Sequence, residues 1–70
     1  MMICGAFLIS RYYSDGHSEF EVFHGELDVT GWRCYGNTWA KTSSECDAYV
    51  EKFPSVMEAT AMYHRMTGED

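Results

Sequence analysis

Two runs of apolar and aromatic residues, Ile3 to Tyr13 and Glu19 to Phe23, are separated only by Ser14-Asp15-Gly16-His17-Ser18. This constrains the fold more than any other feature. Asp-Gly between extended segments marks a β-hairpin, because glycine accepts the positive φ that a tight turn requires. The first run is apolar at most positions, as in a strand covered on both faces. A three-residue loop starting at Ser14 sets Arg11 opposite Glu19, and one starting at Asp15 sets it opposite Glu21. Either register gives a cross-strand charge pair.

Further on, Leu27-Asp-Val-Thr alternates at period two until Gly31 interrupts it, and Trp32 to Tyr35 and Trp39 to Lys41 flank Gly36-Asn37 as a second, shorter hairpin. The period then changes. Cys46, Tyr49, Val50 and Phe53 recur at helical spacing after a cap-like Ser44-x-x-Asp47, which reads as a short helix ended by Pro54. Alternation of Cys46, Ala48 and Val50 leaves a strand reading open. Ser55-Val-Met-Glu58 is a capping box: hydroxyl and carboxylate satisfy backbone N–H groups that a helix start leaves orphaned. Ala59, Met62, Tyr63 and Met66 follow as an apolar stripe, with His64 and Arg65 in the last turn and Gly68 as a C-cap. The expected fold is an α+β single domain over residues 1–70, with an antiparallel three- to four-stranded meander sheet and one or two C-terminal helices packed on one face.

A chain of 70 residues makes a core only just large enough to hold a fold, so its eleven aromatic residues matter. Three cysteines, Cys4, Cys34 and Cys46, form no even set of the kind that builds a disulfide framework, which suits a reducing cytoplasm. The apolar start, Met2 to Ile9, has no basic residue before it and no Ala-x-Ala-like site after it. It reads as a strand, not as a secretory signal or a membrane span.

Metal, nucleophile and phosphate chemistry each lack their spacing signals. Cys4, His17, His24, Cys34, Cys46 and His64 include no C-x-x-C or H-x-x-x-H pair, so no metal site and no cofactor is expected. The cysteines read as small packing residues and the histidines as rim residues. Cys34, His24 and Asp28 are the right types for a thiol, base and orienter, but no local signature joins them. Glu19 and Glu21 share a strand face as two solvated carboxylates, without the burial that acid–base work requires. No Gly-rich phosphate loop occurs. The charge of −6, from eleven acidic against five basic residues, opposes direct contact with nucleic acid or an anionic membrane.

What remains is an acidic ribbon, Asp15, Glu19, Glu21, Glu26 and Asp28, in a stretch without Lys or Arg. Glu19 and Glu21 recur about 6.5 to 7 Å apart along one strand face, close to the spacing of successive phosphates in a nucleic acid. Glu45, Asp47, Glu51 and Glu58 extend this surface if their elements pack beside it. A charged edge that keeps sheets from pairing between molecules would carry the same residues.

In its size, acidity, free cysteines and lack of enzyme motifs, the chain resembles the small inhibitor proteins made by phages, anti-CRISPR proteins among them. The resemblance rests on no diagnostic motif and assigns no residue. It implies a non-enzymatic, stoichiometric blocker in the cytoplasm of a bacterial host. Such a blocker covers a basic, nucleic-acid-binding surface of a partner such as a CRISPR effector complex. The alternative is a small structural or regulatory interaction module, homodimeric through an exposed strand or the Met-bearing helix.

Overall fold

The computed structural model describes residues 1–68. The order is β1 (Met2–Tyr13), β2 (Ser18–Asp28), β3 (Arg33–Tyr35), β4 (Thr38–Thr42), β5 (Cys46–Phe53) and α1 (Val56–Thr67). The five strands form one antiparallel sheet in the order β2-β1-β5-β4-β3. It is therefore two hairpin-built halves joined where β5 pairs with β1, and not a simple meander of three or four strands.

The first hairpin takes the register set by a loop starting at Ser14. Tyr13 N–H donates to His17 O at 2.9 Å, Gly16 turns the chain at φ 97°, and Arg11 stands opposite Glu19. Strand β2 does not end at Phe23. It runs through Gly25 to Asp28, so the alternating Leu27-Asp28 continues it instead of opening a new strand. Gly25 lies opposite Gly5, and the rings of Phe7 and Phe23, with centroids 6.4 Å apart, reach over this pair. A Cβ at Gly25 would sit 3.4 Å from the Phe23 ring. The glycines thus make room for aromatic packing inside paired strands.

Gly36-Asn37 is a two-residue turn with Gly36 at φ 65° and Tyr35 paired with Thr38, as a type II′ hairpin requires. Residues 46–53 form a strand, which corrects the expected helix. Pairing decides the matter: β5 fills the slot between β1 and β4, with Val50 opposite both Ile9 and Trp39. The helical-looking set Cys46, Tyr49, Val50 and Phe53 is divided between the two faces of the sheet. The cap-like serine is part of a turn in which Ser43 Oγ accepts from Glu45 N and Cys46 N.

Both faces of β1 are covered, and Ala6 to Ser10 are buried without interruption. On one face Phe7, Ile9, Trp39 and Val50 pack with Val29, and Ile3, Phe23, Leu27 and Trp32 close the cluster. The segment 29–32 crosses this face on its way from the β2 edge to the β3 edge. Asp28 Oδ1 fastens the crossing by accepting from Thr30 N at 3.0 Å and Thr30 Oγ1 at 2.6 Å, with the terminal ammonium 3.5 Å away. On the other face α1 packs over β1 and β2 and reaches β5. Its start is capped by Ser55, whose Oγ accepts from Glu58 N, and Gly68 ends it at φ 75°. Ala59 is fully buried, Met62 and Tyr63 are half-buried, and Met66 lies exposed at the end of the stripe. Each fully buried Phe7, Leu8 or Val50 contributes about 1.5 to 3 kcal/mol, so a few contacts decide stability in a domain this small.

Candidate functional site: an acidic end of the sheet

Strand alternation divides the acidic ribbon. Glu19 and Glu21 point to the face of Phe7, whereas Glu26 and Asp28 point to the helix face, opposite Cys4 and Met2. Nine residues of extended chain, about 30 Å, separate Glu19 from Asp28. Asp28 is occupied in holding the crossing segment. Asp15, Glu19 and Glu21 remain together at the hairpin end.

A second acidic turn joins them. Ser14 N–H donates to Glu45 O at 3.3 Å, and Asp47 pairs with Tyr12 and Thr42, so the β4–β5 turn lies beside the first hairpin. This proximity depends on residues 46–53 being a strand. Asp15, Glu19, Glu21 and Glu45 are exposed there, and Asp47 is exposed at the same end but on the helix face. Two cations accompany them, Arg11 and Lys41, which both pair with Ala48 one row back from the turns.

Local contacts order this end. Asp15 accepts from His17 N at 3.0 Å and lies against His17 Nδ1, and the His17 ring stacks on Tyr13 with centroids 4.2 Å apart. Tyr13 OH donates to Glu19 at 2.9 Å, and Arg11 Nη1 donates to Glu21 at 2.8 Å. The backbone and ring hydrogen bonds from His17 hold Asp15 below the usual carboxylate range. Hydrogen bonding to Glu19 raises the Tyr13 phenol above its ordinary value. Asp28 is held low chiefly by the Thr30 hydroxyl and N–H. Each hydrogen bond leaves a carboxylate with further acceptor positions, so the cluster can still take Lys or Arg from outside.

The other chemistries considered from the sequence are dispersed. Cys4, Cys34 and Cys46 are free and lie on β1, β3 and β5. His24 and Asp28 stand on the β2 edge, and Cys34 is on β3 at the opposite edge, so these three do not meet. Among the described residues no group of three His, Cys, Asp or Glu is placed to hold a metal ion, and no helix is long and apolar enough to cross a membrane. No protein-family model, curated protein or solved structure matches the chain.

Proposed function

We propose that this chain is a non-enzymatic protein-binding module whose acidic end covers a basic surface of its partner. The observation that carries this reading is the Ser14–Glu45 hydrogen bond, which sets two acidic turns side by side at one end of a rigid sheet. Carboxylates fixed by short contacts lose little freedom on binding, which favours affinity. Their shared sign steers encounter with a cationic surface and rejects acidic ones. Surfaces of that kind are found where proteins grip nucleic acid, so a stoichiometric inhibitor of a nucleic-acid-binding complex is the form of this function we favour. In this form the hairpin triad Asp15, Glu19 and Glu21 is central and Glu45 and Asp47 assist, whereas Glu26 and Asp28 stand apart.

Affinity capture from bacterial lysate at low and high salt, with mass spectrometry of the retained proteins, tests the reading. The expected result is a basic, nucleic-acid-binding protein held at low salt and released at high salt. Specific retention of an acidic metabolic enzyme through this end would overturn it.

A further inference from the structure

The helix leaves part of its own face of the sheet bare. Among the described residues α1 touches β2, β1 and β5, and neither β3 nor β4. Beyond it, β4 presents the small floor Thr38, Ala40 and Thr42. Register fixes the walls: Arg33, Ala40 and Tyr49 lie in one row, and Tyr35, Thr38 and Glu51 in the next. The walls on β3 and β5 stand about 9.6 Å apart, two strand spacings. The groove here has a volume of about 550 Å³ and is lined by Arg33, Tyr35, Ala40, Lys41, Thr42 and Tyr49 among others, with Lys41 on the central strand β4. Tyr35 is 60% exposed and Tyr49 37%.

The charges on this face are distributed unequally about β4. Its β3 wall carries Arg33 and no carboxylate, and its β5 wall carries Asp47 and Glu51 and no cation. A twofold axis running along β4 exchanges the two walls and keeps the rows. It therefore sets each Arg33 over the other copy's Tyr49, between Asp47 and Glu51. It also sets each Tyr35 hydroxyl towards the other copy's Glu51, and Ala40 against Ala40. Every favourable contact is made twice, as an isologous interface requires. The heights agree as well. A helix is about 10 Å across, and two face-packed sheets lie about 10 Å apart, so the edge strand β3 of one copy fits against the flank of α1 in the other.

We propose that this bare face is the contact surface of a symmetric homodimer, with a second copy of the chain as its occupant. Of the acidic end only Asp47 belongs to this face as well; the hairpin residues Asp15, Glu19 and Glu21 lie outside the groove. Exposed tyrosines and an arginine on a floor of small residues are the composition of an interface core.

Sedimentation across a concentration series tests this with the wild type, Arg33→Glu, Glu51→Lys and the double variant. The wild type is expected at twice the 8.0 kDa chain mass. Each single reversal opposes like charges across the twofold and weakens association at least ~10-fold. The double variant restores opposite charges between positions 33 and 51, with Asp47 left as it is, and binds at least about threefold tighter than either single reversal, a rescue that a generally damaged fold would not give. Tyr35→Ala supplies an uncharged check and also weakens the dimer, and Glu26→Lys, at the far edge, leaves it unchanged. Circular dichroism establishes that each variant is folded. A wild type that stays monomeric up to about millimolar concentration overturns the proposal. So does a dimer indifferent to both single reversals, or one that the double variant fails to restore.

Discussion

Arg11 stands opposite Glu19 in the register of β1 and β2, yet its guanidinium donates to Glu21, 2.8 Å away and two residues along the strand. The diagonal leaves Glu19 to Tyr13 OH and brings His17 Nε2 within 3.8 Å of its other oxygen. Hairpin register thus distributes one cation, one phenol and one imidazole over three carboxylates. The pairs are exposed, so they order the acidic end without contributing much to stability.

Reversing both Glu19 and Glu21 to Lys should therefore leave the fold intact, with a loss of about 0.2 to 1 kcal/mol for each pair broken. Urea unfolding followed by circular dichroism measures it. An unchanged slope with a slightly lower midpoint is the expected result. Loss of the cooperative transition would mean that these carboxylates hold the hairpin together.

Asp15 and Asp28 are both held below the usual carboxylate range, Asp15 by His17 and Asp28 by Thr30. A carboxylate with a depressed folded pKa contributes stability that is present above its unfolded pKa and lost as pH falls through the folded one. Acid melts should show stability nearly level from neutrality down to about pH 4 to 5 with respect to these groups, then declining below. Asp28→Asn should reduce the acid-dependent part, because the amide does not titrate. An acid limb of undiminished slope in that variant would contradict the assignment.

Trp39 is a core residue only 7% exposed, and its indole N–H has no hydrogen-bond partner. Phenylalanine there removes the unsatisfied donor while keeping an aromatic ring against Val50 and Ile9. The loss of volume is offset in part by relief of a burial cost of about 1 to 3 kcal/mol. Trp39→Phe should thus cost under about 1.5 kcal/mol, and Trp39→Ala about 3 to 5 kcal/mol. Denaturant unfolding of the two variants decides it, and equal losses would show that the indole as a whole is required.

Local chemistry made much of this fold legible. Asp15-Gly16 and Gly36-Asn37 mark both tight turns because each supplies a glycine where φ is positive, and Ser55 and Glu58 mark the helix start because orphaned N–H groups need acceptors. Residues 46–53 were not legible in the same way. Their helical and strand periods compete within eight residues, and the decision belongs to β1 and β4, which leave a slot only a strand can fill. The extent of β2 was not legible either: Glu19 to Phe23 and Leu27 onward read as separate runs, and one strand joins them through Gly25, which makes room for the Phe23 ring. The candidate site was half legible. Asp15, Glu19 and Glu21 are neighbours along a hairpin, but Glu45 and Asp47 come to the same end only through β5, and Glu26 and Asp28 lie at the far end of β2 on the helix face.

The affinity of the captured partner for the wild type, Glu19→Lys/Glu21→Lys and Glu26→Lys, measured by titration calorimetry across a salt series, decides whether the acidic end is the binding surface. The hairpin reversal should weaken binding at least ~10-fold at low salt and flatten its salt dependence, because it replaces attraction by repulsion at the contact. Glu26→Lys, about 20 Å further along β2 and on the other face, should change affinity by less than about threefold. Wild-type affinity for the hairpin reversal at low salt, in a folded variant, would contradict the claim that this acidic end binds the partner.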